Sequence, residues 1–298
     1  MKQGLKTLLY SSFGFRLIKL LKFVYTPPIK YAKKLRFKGV FNVRTEKGNS
    51  FKLYNNAFLL ETHIFWLGID NYQWENKTRE IWCDLSTKSN TIADVGANVG
   101  IFSVLAKANN PNAKVIAFEP QPNIFEILKK NNAINNFDIH CENNAISNTS
   151  GSVPFFNHGP KTFSDNNTTS GSLNKTWRPI DQNSIYVEAI TLESYINTNN
   201  IKSIDLLKID VETLEYEVLL GYGSFLLKHE PIIILEIQSK KIGSNIDSLL
   251  TIDLYLYYSI DESRGLVKVD VLGTGGDNNY LLCPKSKIHL INNFICEL

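Results

Sequence analysis

The sequence has few cysteines and no pair of them spaced for metal binding. Its 298 residues include four, all far apart: Cys83, Cys141, Cys283 and Cys296. Because no Cys-x-x-Cys pair is present, neither a cysteine-held zinc site nor a disulfide framework is predicted. This cysteine usage favours a reducing, cytoplasmic setting.

Acidic residues are missing from the N-terminal part of the chain. Residues 1–45 contain eleven Lys or Arg and no Asp or Glu, so the rest carries 21 basic and 29 acidic side chains, a net charge of −8. A basic head of this kind predicts contact with a membrane surface, a polyanion or an acidic patch of its own body. Nucleic acid is not expected, because no helix-turn-helix, zinc-finger or RNA-recognition signature accompanies the charge.

The apolar stretch Leu5 to Val24 is too interrupted by lysine and arginine to cross a bilayer. It is not expected to be a signal peptide, since no small-residue cleavage site follows. A helical wheel places Lys19 and Lys22 opposite an apolar stripe of five residues: Phe13, Leu17, Leu20, Leu21 and Val24. Two interpretations stay open, which are peripheral membrane contact through residues 1–38 and an ordinary helix docked on the domain or on a partner subunit.

The remaining sequence predicts one catalytic-size domain with an N-terminal extension. Hydrophobic residues make up 43% of the chain, enough for a sizeable core. We divide the chain into an extension of helix, hairpin and helix over 1–88 and a main domain over 89–298. The extension includes strand-like runs at 40–43 and 50–53 and a helical pattern over 72–85.

From residue 91 onward, strand-like and helical segments alternate, which is typical of a doubly wound α/β domain. The predicted strands are 91–95, 114–118, 137–141, 204–211 and 231–237, the last covered on both faces. Runs at 151–156 and 185–190 predict an antiparallel insertion. The polar loop His158–Ser184 between them, with Asn167, Ser170, Gly171 and Ser172, is either a lid or a surface insertion. A helix over 245–254 and a terminal hairpin of 266–271 with 279–283 complete the prediction.

The segment Asp94-Val95-Gly96-Ala97-Asn98-Val99-Gly100 lies between a predicted strand and a predicted helix. It lacks the middle glycine of a dinucleotide fingerprint, and no Gly-Lys-Ser/Thr follows it. Glycines here permit a tight turn, and Gly100 would let the helix pack against the strand. Glu119 ends the next strand, where an acid can accept hydrogen bonds from both ribose hydroxyls. Together these features predict an adenosine-type cofactor without a pyrophosphate, such as S-adenosylmethionine.

At this point the sequence resembles the FkbM-type S-adenosylmethionine-dependent methyltransferases over about residues 90–285. The resemblance rests on an ordered set of segments: Asp94–Gly100, Phe118-Glu119-Pro120, Asn144-Ala145, Leu207–Glu212, Glu215 and Ile234–Ile237. It implies a class I methyltransferase fold, Rossmann-like, with a mostly parallel seven-stranded sheet. It also implies methyl transfer to a hydroxyl oxygen of a sugar, a glycan or glycolipid, or a secondary metabolite.

The resemblance implies roles for particular residues. The methionine part of the cofactor would lie among Asp94, Gly96, Ala97, Asn98 and Gly100, its ribose at Glu119, and its adenine at Asn144 and Ala145, with Asp210 also near the cofactor. One position departs from the family pattern, because Thr213 stands where members commonly have glycine. This departure concerns the conformation of the loop.

Methyl transfer to an alcohol requires a general base, for which we predict Asp210 first and Glu212 second, with Lys208 orienting the carboxylate or the substrate. Asp210 and Glu212 can also be read as acids favoured by a helix N-terminus, and Glu215 as a helix-surface residue or a salt-bridge partner. Glu236 in an apolar strand predicts a partner such as Lys208, a metal, or an exposed strand end. Mg²⁺ between Asp210 and Glu236 would suit oxygen ligands, although the sequence does not require a metal.

Two other classes of protein are kept as alternatives. One is a catalytically inactive methyltransferase-like interaction protein, and the other is a nicotinamide-dependent oxidoreductase. His63, His140 and His158 show no ligand spacing and are expected to be structural or exposed. The acceptor and the oligomeric state are not determined by the sequence.

Overall fold

The computed structural model describes residues 3–45, 48–71, 75–157, 171–176, 183–250, 254–275 and 277–296. Trp74 and His158, and with them most of the polar loop 158–184, lie outside the described residues. The chain divides into two compact units: residues 1–76 with 129–137, and residues 77–128 with 138–298. The sequence-based domain division after residue 88 remains a prediction.

The first unit contains three short N-terminal helices, a hairpin and a further helix. Their bounds are α1 Gln3–Leu9, α2 Ser12–Val24, α3 Ile29–Ala32, β1 Lys38–Arg44, β2 Ser50–Asn56 and α4 Leu59–Leu67. The predicted hairpin is confirmed, since β1 and β2 pair antiparallel. Its core is aromatic: the Phe37 ring centroid lies 5.0 Å from that of Phe15 and 4.5 Å from that of Phe65.

The last turns of a long helix, α7 (Pro122–Asn135), belong to the first unit because they satisfy the edge of β2. Asn131 Oδ1 accepts from the Tyr54 backbone N–H, and Asn135 Oδ1 accepts from that of Lys52, each at 2.7 Å. Residues four apart share one helix face, and alternate residues of a strand point their N–H groups the same way. Two asparagines at helical spacing therefore match two donors at strand spacing.

The second unit alternates strands and helices as predicted. In chain order it contains α5 Asn76–Ser86, β3 Thr91–Val95, α6 Ile101–Asn109, β4 Lys114–Phe118, the first turns of α7, β5 His140–Glu142, β6 Ala145–Ile146, β7 Gly151–Asn157, β8 Gly171–Ser172, β9 Asn183–Ile190, α8 Leu192–Thr198, β10 Leu206–Ile209, α9 Glu215–Leu220, α10 Phe225–His229, β11 Ile232–Glu236, α11 Lys240–Leu249, β12 Tyr255–Asp261, β13 Gly265–Val269 and β14 Asn279–Pro284, followed by two 3₁₀ helices over 285–290 and 292–294.

The main sheet has the order β13-β12-β14-β11-β10-β3-β4-β5. The five neighbouring strands β11, β10, β3, β4 and β5 are parallel, whereas β12, β13 and β14 pair antiparallel. The α/β class with a mostly parallel sheet is confirmed. The sheet has eight strands rather than seven, because Gly265–Val269 adds an edge strand.

The predicted C-terminal hairpin is wrong in its partners. Strand β14 lies between β11 and β12, and β13 pairs with the other edge of β12. The predicted helix over 245–254 is also displaced, because α11 ends at Leu249 and a strand begins at Tyr255. The helix begins earlier because the Ser239 hydroxyl caps it, accepting from the Ile242 N–H. The run 255–258 forms the next strand, in which Tyr255, Tyr257 and Tyr258 are buried, an environment that favours aromatic residues.

The predicted antiparallel insertion is confirmed. Strands β7 and β9 pair over 151–157 and 183–189, within a small sheet of order β6-β9-β7-β8. The main core lies on both faces of the large sheet, where the apolar residues of β11 are almost completely buried. Trp82 and Leu85 of α5, within the predicted helical pattern over 72–85, are buried as well.

Candidate active site

The carboxyl ends of β3, β4, β10 and β11 meet at one edge of the main sheet, because these four strands are neighbouring and parallel. Asp94 of β3 lies directly beside Lys208 of β10 in the strand register. Asp210 follows β10, and Glu236 ends β11. Four polar residues predicted from separate parts of the sequence are thus brought to a single edge, where doubly wound sheets bind their ligands.

The turn after β3 depends on Gly96, which has φ +80°. A Cβ atom added there would lie 1.9 Å from the Asp210 carbonyl oxygen. The backbone N–H groups of Gly96 and Ala97 both donate to the Phe118 carbonyl, at 3.0 and 2.9 Å. The turn is therefore bound to the ends of β4 and β10, and only glycine allows that approach.

Gly100 begins the helix α6 with φ +85°. A Cβ atom there would meet Leu128 Cδ1 of α7 at 2.3 Å. The contact that its missing side chain permits is therefore with a neighbouring helix and not with the strand, which corrects the prediction. Between the two glycines, Asn98 also has a left-handed backbone, with φ +53°, a conformation that asparagine tolerates well.

Glu119 is buried at the end of β4 and accepts two backbone hydrogen bonds. Its Oε2 accepts from the Asn98 N–H at 2.9 Å, and its Oε1 accepts from the Gln121 N–H at 2.8 Å. Each carboxylate oxygen has a second lone pair, so both can still accept from a ligand hydroxyl. Burial raises the pKa of Glu119 to about 7, although the two amide donors oppose the rise.

Asp94 is 1% exposed, and its two carboxylate oxygens differ in their hydrogen bonding. Its Oδ2 accepts from the Ser103 hydroxyl at 2.6 Å, whereas its Oδ1 is buried without a hydrogen-bond partner among the described residues. Burial raises the pKa of Asp94, and the Lys208 ammonium and the Ser103 hydroxyl oppose that rise. A buried unpaired acceptor is costly, so Asp94 Oδ1 is a candidate acceptor for a ligand donor.

Lys208 and Asp210 form an ion pair with a separation of 2.8 Å between Nζ and Oδ2. Lys208 is 4% exposed, and its ammonium lies 4.5 Å from the centroid of the Phe102 ring. The Asp210 side chain keeps about a third of its surface in solvent, at 32%. The lysine is therefore an internal anchor, and Asp210 presents the accessible carboxylate.

The segment after Asp210 has an unusual backbone, because Glu212 and Thr213 have φ +57° and +82°. For a β-branched residue such as Thr213 this conformation is strained. Neighbouring groups hold it in place. The Ser172 hydroxyl donates to the Glu212 carbonyl at 2.8 Å, and Asn174 Nδ2 donates to Thr213 Oγ1 at 2.7 Å. Thr213 thus adopts a backbone that glycine would adopt freely.

Glu215 is fully buried, so the expectation that it lies on a helix surface is wrong. Its Oε1 accepts from the Thr213 N–H at 3.1 Å, while its Oε2 has no hydrogen-bond partner among the described residues. Burial raises its pKa to about 8, with Asp210 and Glu236 adding to the rise. Glu215 begins α9, and its side chain points inward, where the carboxylate accepts from the backbone of the strained loop.

Gln238 connects two further acids. Its Nε2 donates to Glu212 Oε2 at 2.9 Å and to Glu236 Oε2 at 3.2 Å. Burial raises the pKa of Glu236, and Asp210 raises it further. The Lys208 ammonium, which forms its ion pair with Asp210, opposes that rise, so Glu236 interacts electrostatically with the predicted partner Lys208.

Among the residues that the structure describes, carboxyl groups outnumber ammonium groups at this edge. Asp210 interacts electrostatically with four other carboxyl groups, those of Asp94, Glu119, Glu215 and Glu236. Lys208 is the ammonium beside them. The raised pKa values of Glu119 and Glu215 leave part of these groups protonated near neutral pH, and a cationic ligand beside them would favour their ionised forms. Within the described ranges, no group of three or more His, Cys, Asp or Glu has metal-binding geometry, and the Mg²⁺ site at Asp210 and Glu236 stays a prediction.

Asn144 and Ala145, the two residues predicted to contact adenine, lie at the small sheet. Ala145 is buried in β6, and Asn144 Nδ2 donates to the Glu188 carbonyl of β9 at 3.4 Å. The neighbouring Asn143 bonds to the turn after β4 instead, with its Nδ2 2.8 Å from the Glu119 carbonyl.

Several contributors were not predicted from the sequence: Ser103, Asn143, Asn174, Glu215 as a buried group, and Gln238. Ser103 and Gln238 had a weak signal, since each is a polar residue close to a strand end or inside an apolar helix. Asn174 had none, because its contact crosses 39 residues of chain. Ser172, which belongs to the polar loop predicted as either a lid or a surface insertion, does reach the candidate site, because its hydroxyl donates to the Glu212 carbonyl.

The fold and this edge define an α/β protein with a glycine turn after β3 and an acidic cluster beside it. The Methyltransferase FkbM domain model matches residues 94–265, more than half of the chain. This chain belongs to the FkbM methyltransferase family, in agreement with the resemblance seen in its sequence.

Similar curated proteins carry methyltransferase names. The chain is 29% identical to Methyltransferase sdnD of Sordaria araneosa, in a match covering 44% of this chain and 59% of that protein. It is 28% identical to Methyltransferase 1 of Beauveria bassiana, covering 44% of this chain and 57% of that one. The chain thus spans less than two thirds of the length of these relatives. Among solved structures, the methyltransferase FkbM from Methylobacillus flagellatus aligns with 15% identity and a TM-score of 0.35, over 54% of this chain and 35% of that one.

Proposed function

We propose that this chain transfers a methyl group from S-adenosylmethionine to a hydroxyl oxygen of a small molecule or glycan. The observation that carries the proposal is the juxtaposition of the Gly96 turn, the buried Asp94 and the Lys208–Asp210 pair at one sheet edge. Membership of the methyltransferase family supports the reaction class. The resemblance of the sequence to FkbM-type enzymes supports oxygen as the acceptor atom.

The residues present fit this cofactor in charge and hydrogen bonding. S-adenosylmethionine carries a sulfonium and an ammonium cation, and among the described residues the carboxyl groups around Asp210 outnumber the Lys208 ammonium beside them. The unpaired Asp94 Oδ1 would accept from the methionine amino group. Glu119 has lone pairs left for the ribose hydroxyls, and Asn144 with Ala145 is the proposed adenine side.

The bound cofactor supplies an electrophilic methyl group on a positively charged sulfur. The protein must align the acceptor oxygen with that group and remove the hydroxyl proton. Asp210 is our candidate base, because its carboxylate is accessible and the buried Lys208 holds one of its oxygens at 2.8 Å. Lys208 is a positioning residue in this scheme. Glu212 is the second candidate base, held by Gln238 at 2.9 Å.

The acceptor is proposed by class only. The family resemblance favours a hydroxyl of a sugar, a glycolipid or a secondary metabolite. The segment Gly171–Thr176 supports a role for the polar loop in the site, because Ser172 and Asn174 bond to the Glu212–Thr213 backbone and side chain. Ordering this segment would exclude water from the acceptor.

The test separates cofactor binding from catalysis. Binding of S-adenosylhomocysteine is measured by calorimetry for the intact chain and for Asp94→Asn, Asp210→Asn and a control, Asp84→Asn. Asp84 makes an exposed helix-surface ion pair with Lys88, so the same chemical change there should alter little. Methyl transfer is then followed with labelled S-adenosylmethionine on a panel of hydroxylated acceptors.

The proposal expects Asp94→Asn to weaken binding by about tenfold or more, since a single hydrogen bond to a charged group contributes roughly 1.5–3 kcal/mol. Asp210→Asn should lower kcat by about a hundredfold or more, the range of general-base catalysis, with a smaller effect on binding. No binding by the intact chain would contradict the cofactor assignment. Binding without turnover on any acceptor would favour the inactive interaction protein instead.

A further inference from the structure

Helix α2 exposes the apolar stripe that its sequence predicts. Phe13, Leu20 and Val24 are 62, 68 and 79% exposed, and Leu17 and Leu21 on the same face are also exposed. Helix geometry places these five side chains within about 100° of arc. A surface helix normally turns such a stripe toward the core, whereas α2 turns its stripe toward solvent.

The opposite face of α2 attaches the helix to the first unit. Ile18 is buried, and the Phe15 ring stacks on Phe37. The Lys22 ammonium donates to the Phe65 carbonyl and lies 4.5 Å from the centroid of that ring. Burial accordingly lowers the pKa of Lys22. Because the helix is held by these contacts, its apolar stripe is left over for another surface.

The exposed apolar residues form a patch and are not scattered. Fifteen large hydrophobic side chains of the described residues are exposed, and ten of them lie between residues 8 and 31. Beyond the stripe they include Phe23, Tyr25, Ile29 and Tyr31, which follow α2 directly along the chain. Concentration of this kind marks an interaction surface, since single exposed apolar residues need no explanation but a patch does.

Charge identifies the partner. The first unit contains fifteen Lys and Arg against four Asp and Glu, a net charge of +11, whereas the second unit has −8. Arg16 lies within α2 beside the stripe, and Lys30, Lys33 and Lys34 follow it. A second copy of the same face would be repelled by this charge. An anionic lipid surface matches both properties, because its headgroups take the cations and its acyl boundary takes the apolar side chains.

The length of α2 suits a helix lying in the plane of the membrane. Its 13 residues are well short of the roughly 20 that a spanning helix needs, and they measure about 20 Å along the helix axis. In the part of the chain that the structure describes, no helix combines the length and the apolar character required to cross a bilayer.

We propose that residues 8–38 form a docking surface for anionic lipid bilayers. The stripe of Phe13, Leu17, Leu20, Leu21 and Val24 enters the headgroup region, and the lysines and arginines that follow and flank it neutralise lipid phosphates. This proposal does not depend on the function proposed for the second unit.

The test is co-sedimentation of the full chain with phosphatidylcholine vesicles, with and without phosphatidylglycerol. The double variant Phe13→Glu/Leu20→Glu places charge on the stripe, and Tyr186→Glu is the matched control, since Tyr186 is an exposed aromatic residue of the second unit at 75%. We expect binding to the anionic vesicles that the double variant weakens by tenfold or more and the control leaves unchanged. Every variant is compared with the intact chain by circular dichroism, which substitutions at exposed positions should not alter.

A second variant tests the charge. Replacing Lys30, Lys33 and Lys34 by Gln should weaken binding to anionic vesicles by roughly a hundredfold, since each basic residue near such a surface contributes about a fivefold factor. Sedimentation of the intact chain with neither vesicle type would overturn the proposal. So would a dimer of the intact chain that Phe13→Glu/Leu20→Glu dissociates, because the face would then cover a second copy. Binding to duplex nucleic acid with no lipid binding would overturn it as well.

Discussion

The substitution Gly96→Ala tests the construction of the active-site edge most directly. Gly96 has φ +80°, and an added Cβ would lie 1.9 Å from the Asp210 carbonyl oxygen and 2.8 Å from its carbon. Both of these are backbone atoms at the end of β10, so they cannot rotate away. Gly100 has a similar φ of +85°, but its Cβ would meet the Leu128 Cδ1 atom, which is the end of a flexible side chain.

The two costs can be worked out separately. A left-handed alanine costs about 1–2 kcal/mol at either position, partly offset by about 0.5 kcal/mol from the less flexible unfolded chain. At Gly96 the backbone must also move, which disturbs the hydrogen bond from Asp210 N–H to the Val95 carbonyl or that from Gly96 N–H to Phe118. Losing a buried backbone bond adds about 1–3 kcal/mol. We therefore expect Gly96→Ala to destabilise the protein by about 3 kcal/mol and Gly100→Ala by about 1 kcal/mol.

The assay is urea denaturation followed by tryptophan fluorescence, with S-adenosylhomocysteine binding measured by calorimetry under conditions in which both variants are folded. Gly96→Ala should unfold at lower urea than Gly100→Ala and should bind the ligand at least tenfold more weakly, because its shift is transmitted to Asp210. Equal destabilisation by the two variants would refute the steric reasoning. Full retention of binding by Gly96→Ala would refute the placement of the cofactor beside this turn.

Three further outcomes are expected. Glu215→Gln should flatten the pH dependence of stability. With Glu215, the folded protein keeps a proton that the unfolded chain releases above pH 4.5, so the free energy of unfolding falls by up to about 1.4 kcal/mol per pH unit as the pH rises toward 8. The same slope for the variant and the intact chain in urea titrations from pH 5 to 8 would contradict the burial argument. Thr213→Gly should relieve about 1–2 kcal/mol of backbone strain and lose about 1 kcal/mol from the hydrogen bond that Asn174 donates to the Thr213 hydroxyl. The two effects nearly cancel, so a change in the free energy of unfolding beyond about 1 kcal/mol in either direction would contradict this balance. Ser103→Ala should cost about 1–3 kcal/mol in thermal or urea unfolding because it leaves the buried Asp94 carboxylate with less support, and a neutral result would mean that another donor replaces the hydroxyl.

Much of the fold was predictable because burial has a local signature. The apolar run 231–237 became the buried strand β11, and the alternation from residue 91 onward became the parallel part of the sheet. The turn with Gly96 was predictable for a different reason, since only glycine combines positive φ with close backbone approach.

Strand partners at the C-terminus were not predictable in the same way. A run such as 279–284 specifies that a strand forms and which side chains are buried, but not which neighbours supply its hydrogen bonds. Strand β14 lies between β11 and β12, and the hairpin expected with 266–271 does not form. Pairing depends on groups far apart in the chain, and periodicity carries no information about them.

The sequence by itself determined the alternating α/β order, the glycine turn, the acids at strand ends and the separation of a basic head from an acidic body. Only the tertiary structure decided that Glu215 is buried under the Thr213 loop and that Asn174 reaches that loop. It also decided that α2 packs through Phe15 and Ile18 and leaves its apolar stripe exposed. The physical reason is the same in each case: residue type and spacing set what a segment can bury or bond, whereas the partner that satisfies it is chosen by contacts between distant segments.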